Sequence, residues 1–223
     1  MNFKIASVDS IVVNFSDVIS LETSQKVKFY YEKVKTFEHI VDLVPSYTTL
    51  LITYDIFNSS YEEIVSTIKA LTYTNKQINT NSKFFEIPVY YGLEIAIDLQ
   101  RISNERNIDI EEIIKLHTSE VYNVYAIGFA PGFAYLGEVP SPIAMPRLKT
   151  PRKSIPKGSV AIADTQTAIY PNSSPGGWNI IGKTTFQMFD KTLDNLCPVS
   201  MGDKIKFKSI SKEEFINSGG SIS

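Results

Sequence analysis

The stretch Val124-Tyr125-Ala126-Ile127-Gly128-Phe129-Ala130-Pro131-Gly132-Phe133-Ala134-Tyr135-Leu136-Gly137 decides the architecture of this chain. A short β-branched and aromatic run, Val124 to Ile127, gives way to ten residues holding three glycines, one proline and three aromatic side chains. Gly tolerates positive φ and Pro fixes φ by its ring, so a strand entering such a segment must turn sharply. The texture recurs downstream. Ser159 to Ala163, Thr167 to Tyr170, Thr184 to Phe189 and Lys204 to Lys208 read as short strands between Gly and Pro, which predicts a barrel or sandwich. The final Ser/Gly-rich stretch, Ser218 to Ser223, is expected to fray.

Upstream of this region the periodicity is different. Phe3 to Ala6 and Ile11 to Phe15 read as a hairpin around Asp9-Ser10, and from Ser20 the residues Val27, Tyr30, Tyr31, Val34 and Phe37 fall on one helical face. Strands follow at Ile40 to Val44 and Thr48 to Tyr54. Ser60-Tyr61-Glu62-Glu63 is a capping box opening a helix with the stripe Ile64, Val65, Ile68 and Leu71. Thr72 to Lys83 reads as a surface connection, and Phe84 to Tyr90 as the strand that completes a ββαββαβ series. The expected organisation is thus an α+β domain over residues 1–90, an antiparallel sheet with two helices, and a β-barrel domain over 91–223. Two short helices begin the second domain, at Asp98 to Asn107 and from Asp109, with Glu111 and Lys115 at i,i+4 spacing and His117 at the C-terminal end.

Composition narrows the function classes. The 223 residues are 43% hydrophobic and 21% charged, enough apolar material for a core. A net charge of −2 supplies no general field for nucleic acid, and no apolar run approaches the ~18 residues of a membrane span. One cysteine, Cys197, and two histidines are too few for a disulfide or a zinc site, so no metal centre is expected. The N-terminus lacks the pattern of a signal peptide, and a cytoplasmic protein is the expectation.

Three dense loops carry the candidate chemistry. In the first, Gly132 and Gly137 allow close backbone approach, while Phe129, Phe133 and Tyr135 either plug the end of the barrel or wall a ligand cleft from water. The second, between Met145 and Gly158, holds Arg147, Lys149, Arg152, Lys153 and Lys157 among three prolines and no acid. It reads as a solvated charge run or as a stiffened clamp for a carboxylate or phosphate. The third, Ser173-Ser174-Pro175-Gly176-Gly177-Trp178, is a tight turn that packs the indole or offers its amides to an oxyanion. Gly177 to Thr184 formally matches a P-loop, but Trp178, Ile180 and Ile181 demand burial where a phosphate cradle needs open backbone. Lys183 remains a candidate single-charge anion contact, and His117 is either a helix-end cap or a base. His39 and Cys197 read as structural.

These same segments carry a family resemblance. Ile87 to Gly92, Leu116-His117-Thr118, Val124 to Phe133, Tyr135-Leu136-Gly137, Thr150-Pro151-Arg152, Ile155 to Val160, Gln166-Thr167, Ser174 to Trp178 and Ile181 to Thr184 follow one another as in the allophanate hydrolase subunit 1 family. That family is also read as the B-subunit of bacterial ATP-dependent 5-oxoprolinase and includes a sporulation histidine kinase inhibitor. The resemblance implies a carboxyltransferase-like protein whose second domain is a cyclophilin-like β-barrel. It further implies an enzyme subunit, inactive alone, that joins subunits C and A to cleave 5-oxoproline to L-glutamate with hydrolysis of ATP, with Mg2+ shared in the complex. The alternative it carries is a regulator that binds a sensor histidine kinase.

On this resemblance Arg152, Lys183 and His117 are the expected catalytic residues. Phe129, Pro131, Gly132, Phe133, Tyr135, Arg147, Gln166, Tyr170, Ser174, Gly176, Gly177 and Trp178 are the expected substrate- or nucleotide-binding set. The chain departs from the family pattern at Val8-Asp9 and Asp164-Thr165, where Gly-Asp and Gly-Gly are usual, at Ala134 for proline and at Lys183 for arginine.

Overall fold

A computed structural model describes residues 1–74, 82–192 and 196–222, and the chain divides into two compact units, Met1–Asn81 and Ser82–Ser223. The Thr72 to Lys83 connection lies largely outside the described residues.

The first unit contains β1 (Asn2–Ser7), β2 (Ser10–Asn14), α1 (Leu21–Val34), β3 (Ile40–Pro45), β4 (Thr49–Tyr54) and α2 (Tyr61–Ala70). Its antiparallel sheet has the order β1-β2-β4-β3. Alternation along β2 and β4 turns Ile11, Val13, Leu50 and Ile52 inward, all fully buried, against Val27 and Val34 of α1 and Ile68 of α2. Both helices start where the sequence indicates. Ser20 accepts from the Thr23 amide at 3.1 Å, and Ser60 and Glu63 form the reciprocal capping box, with the Ser60 amide donating to Glu63 at 2.8 Å.

The second unit contains β5 (Phe84–Val89), α3 (Leu99–Arg106), α4 (Ile110–Ser119), β6 (Tyr122–Ile127), β7 (Ala134–Gly137), β8 (Arg152–Ile155), β9 (Ser159–Ala163), β10 (Gln166–Ile169), β11 (Ser174–Gly176), β12 (Asn179–Lys183), β13 (Lys204–Ser209) and α5 (Lys212–Asn217). Seven strands form one sheet in the order β12-β9-β10-β7-β6-β13-β5, while β8 and β11 make a separate ribbon. The sheet closes nearly into a barrel. Tyr90, just beyond β5, and Lys183 at the end of β12 exchange both backbone hydrogen bonds at 2.9 Å, bringing the two outer strands together. At this seam a Cβ on Gly182 would stand 2.7 Å from Val89 and 2.9 Å from the Tyr90 carbonyl, so only glycine admits the approach.

Several expectations change here. The strand from Phe84 does not complete the first sheet; β5 pairs in parallel with β13, from Phe84↔Lys204 to Val89↔Ser209, and buries Ile87 and Val89 in the barrel. The boundary therefore falls at Asn81/Ser82 rather than at 90/91. No strand forms over Thr184 to Phe189, because the Thr184 hydroxyl accepts the Phe186 amide at 3.1 Å in a local turn that competes with the ladder. The serine and glycine of the third loop extend into β11. The C-terminal segment, expected to fray, is held by α5 and by Lys183, whose Nζ donates to the Ser221 carbonyl at 2.8 Å. Lys115 pairs with Glu112 at i,i+3 rather than with Glu111. Asp164, where the family has glycine, sits at φ 52° in the β9–β10 turn, a left-handed position that Asp tolerates better than most residues. Among the described residues no helix is long and apolar enough to cross a membrane.

Candidate functional site

Strand β9 is buried at all five positions because both of its faces are covered. Val160 and Ile162 point into the barrel core with Ile169 and Ile181, whereas Ala161, Ala163 and Ala168 point outward, where Phe133, Tyr170 and Trp178 lie on them. The small side chains leave room for rings. Phe133 is the hub of this outer layer, edge-on to Tyr170 at 5.2 Å, to Trp178 at 5.5 Å, to Tyr135 at 4.9 Å and to Phe129 at 5.4 Å. A Cβ on Gly132, whose φ is +83°, would stand 2.3 Å from the Met188 carbonyl, so the loop can follow this path only with glycine there.

The layer has a buried base and an exposed rim. Phe133, Tyr170 and Trp178 are at most 4% exposed, and burial pushes the Tyr170 hydroxyl up to about 12. Phe129 is 67% exposed and sits at φ 70°, a strained backbone for an aromatic residue. Pro131 beside it is exposed, and Tyr135 is half-buried. The Arg147 guanidinium lies over the Trp178 ring at 5.6 Å and, among the described residues, has no acidic partner. Chemically, this rim offers a cation on a water-excluding aromatic surface, an arrangement that accepts a small anion with an apolar body.

The other predicted cations are engaged elsewhere. Arg152 donates to the Asp98 carboxylate at 2.8 Å and to the Trp178 carbonyl at 3.3 Å, so it braces the β8–β11 ribbon rather than presenting a free clamp. Asp98, only 3% exposed, also accepts the Ile180 amide at 2.7 Å and lies 3.5 Å from Arg101. A carboxylate this deeply buried needs such partners, which explains why the fold commits Arg152 to it. Arg101 also bonds Asn179, whose side-chain amide holds the carbonyls of Pro146 and Ile162 at 3.0 and 2.9 Å. Lys183 lies at the far end of β12 from Asn179, about 13 Å along the strand, so Arg152 and Lys183 do not converge.

His117 does not join this rim. It is fully buried inside the barrel, stacked on Phe207 at 4.6 Å, with Nδ1 2.8 Å from the Tyr91 hydroxyl and Nε2 2.9 Å from the Thr167 hydroxyl. Thr167 spends its one proton on the Ala161 carbonyl at 3.1 Å, so it accepts from Nε2–H, and Nδ1 accepts from Tyr91. Burial holds the imidazole pKa down to about 3, which keeps it neutral. Of the remaining predicted contacts, Gln166 pairs with Gly137 of β7 and Ala163 of β9. Ser174 pairs with Ile155, Gly176 pairs with Arg152, and the Gly177 carbonyl accepts the Leu148 amide at 2.7 Å. These last three anchor the loops.

Sequence reasoning missed Asp98, Asn179, Tyr91 and Thr167. Asp98 reads as an ordinary helix start, and its partners Arg152 and Ile180 are too distant in the chain to leave a local signal. For His117 a signal exists: it follows Ile113 at i+4, and both lie on the buried face of α4.

Comparisons with known proteins agree with this architecture. The family model described as carboxyltransferase domain, subdomain C and D, matches residues 1–199. A protein named as the B-subunit of 5-oxoprolinase, from Bacillus subtilis (strain 168), is 36% identical, the match covering 83% of this chain and 82% of that protein. The crystal structure of TTHA0988 superposes with a TM-score of 0.81 at 29% identity, over 91% of this chain and 40% of that chain, so this chain spans less than half of it. The Kluyveromyces lactis urea carboxylase shares the fold, with a TM-score of 0.76 at 17% identity over 96% of this chain and 22% of that one.

Proposed function

The chain belongs to the family of the 5-oxoprolinase B-subunit, with its carboxyltransferase subdomain C and D, and from that premise we propose that it is the B-subunit of an ATP-dependent 5-oxoprolinase. In this reading it acts in the cytoplasm with subunits C and A, is inactive alone, and contributes to opening 5-oxoproline to L-glutamate. The observation that carries the reading to a site is Arg147 over Trp178 on the rim of the aromatic layer. A carboxylate on a compact lactam ring matches that pairing of a cation with an apolar wall, and the wall keeps bulk water from the reacting amide.

The assignment of roles changes from the sequence reading. Arg147, with Phe129 and Tyr135, contacts substrate; Arg152 acts as a positioning residue through the Trp178 carbonyl; His117 and Lys183 support the barrel interior and its seam. ATP would supply the driving force for opening an unactivated lactam. The P-loop match in this chain does not fit a nucleotide site. Gly177 to Thr184, the segment that matches a P-loop formally, runs largely as strand β12 and not as a phosphate-cradling turn before a helix. The nucleotide is therefore assigned to the assembled complex.

The test is co-expression with subunits C and A followed by an assay of 5-oxoproline-dependent phosphate release. The complex should turn over and the isolated chain should not. A complete complex whose ATP turnover ignores 5-oxoproline would overturn the reading, and nucleotide-free binding of the isolated chain to a histidine kinase dimerisation domain would replace it with the regulatory one.

A further inference from the structure

In the first unit α1 packs over β3 and β4, whereas α2 flanks β1, with Lys69 lying over the Phe3 ring at 5.5 Å. Between β1 and α2 runs an open groove of about 610 Å3, bounded on one side by Met1 to Phe3 and on the other by Tyr61, Glu62, Val65, Ser66 and Lys69. Strand β1 is an edge strand: its described partner is β2 alone, so one row of its amides and carbonyls faces outward. Ile5 lies opposite Ile11, which in turn lies opposite Ile52, and both of those are fully buried, yet Ile5 is 71% exposed. It stands on the helix side of the sheet where neither helix reaches.

The charges beside this edge are self-complementary. Along one face of α2 come Glu62 in the first turn, Val65 and Ser66 in the middle and Lys69 in the last turn, at helical spacing. Among the described residues neither Glu62 nor Lys69 has an ion-pair partner. A two-fold axis passing between Val65 and Ser66 sets Glu62 of each copy opposite Lys69 of the other, since the two residues are equidistant from that midpoint. The same rotation runs two β1 strands antiparallel. An unrelated partner would have no reason to match this palindrome; a second copy matches it by symmetry.

We propose that two copies of this chain dock edge to edge through β1 and α2, joining their four-stranded sheets into one continuous antiparallel sheet and covering Ile5. The irregular register between Ile5 and Ser7 confines the pairing to the N-terminal part of the strand.

Sedimentation velocity on the full chain tests this. The wild-type chain should show a concentration-dependent dimer at micromolar concentration. Glu62→Lys alone and Lys69→Glu alone each create like-charge pairs twice per dimer, so each should weaken the dimer by about tenfold or more. Mixing the two variants should restore a heterodimer, because every facing pair is then opposite in charge. Ile5→Asp should abolish the dimer in every mixture. All three side chains are exposed, and circular dichroism is the check that the variants fold. A wild-type chain that stays monomeric, a dimer indifferent to these changes, or folded charge variants that do not recover on mixing would each overturn the proposal. Docking of this edge only on a different subunit would show as the first of these outcomes.

Discussion

Strands β9 and β10 carry two unlike polar arrangements on opposite faces. Facing inward, Thr167 meets His117 and Tyr91 in a chain where every donor has an acceptor and nothing reaches solvent. On the outer face Tyr170 and Trp178 support a rim on which Arg147, among the described residues, has no acidic partner and Phe129 holds a strained backbone. Satisfied, buried polar groups specify a fold; strained or uncompensated ones persist where a ligand gives them a use. The inner centre should therefore report in stability and the outer one in binding, and substitutions on each face can break that division.

The largest effect is expected at His117. Replacing it by Ala removes a fully buried ring and leaves the Tyr91 and Thr167 hydroxyls short of partners, a loss of about 3–5 kcal/mol. The unfolding midpoint in denaturant measures it, and a loss below about 1 kcal/mol would mean that the interior bonds matter little. Asp98→Ala should cost about 3 kcal/mol, since it strands the Ile180 amide and takes from Arg152 its carboxylate, while Arg101 keeps Glu105. Its consequence crosses the sheet: Arg152 loses its anchor, so the Trp178 carbonyl should move, and tryptophan fluorescence should shift in the folded state.

Acid offers a milder probe of the inner centre. Burial holds His117 near 3 against an ordinary value of 6.5, so between those limits the unfolded chain binds the extra proton and stability falls as pH falls. The cost should reach about 2 kcal/mol at pH 5 and vanish above pH 6.5. Carboxylates held low by hydrogen bonds, such as Glu94 at about 2 against an ordinary 4.5, cost stability mainly as pH falls below about 4.5, so the slope between pH 6.5 and 5 belongs mainly to the imidazole. His117→Gln, which takes no proton, should flatten the slope between pH 6.5 and 5. A slope unchanged in that variant would place the titration elsewhere.

The two faces were not equally legible in the sequence. Local chemistry announced the capping box at Ser60, the helix from Ser20 and most short strands, because caps, alternation and Gly/Pro breaks act within a few residues. It could not announce that β5 would lie parallel to β13, since that pairing joins residues about 120 apart and depends on closing the barrel. The aromatic loop was visible as a composition anomaly, but not that Phe133 would be buried on the outer face of the sheet while Phe129 stays exposed. Arg152 was a natural candidate by type and position, but the buried carboxylate that claims it comes 54 residues earlier. Arg147 stood in the same basic run with nothing in the sequence to rank it above its neighbours; only its place over Trp178 does so.

The smallest effects on stability are expected on the rim. Phe129→Gly removes one edge-on ring contact but also releases the strain of an aromatic residue at φ 70°, so the net change should stay within about 1 kcal/mol. Phe133→Ala, four residues on in the same loop, should cost about 3–5 kcal/mol because its ring is the hub of the layer. Arg147→Ala should be nearly silent in denaturation, within about 0.5 kcal/mol, since an exposed guanidinium loses little beyond one cation–π contact. In the assembled complex the same change should raise KM for 5-oxoproline by about tenfold or more with kcat little altered, the signature of a contact made equally in the ground and transition states. Arg147→Lys should recover the charge but not the planar stacking, and so only part of the affinity. If instead Arg147→Ala costs several kcal/mol of stability while KM in the assembled complex stays fixed, the outer face is a second core and the anion site lies on another part of the complex.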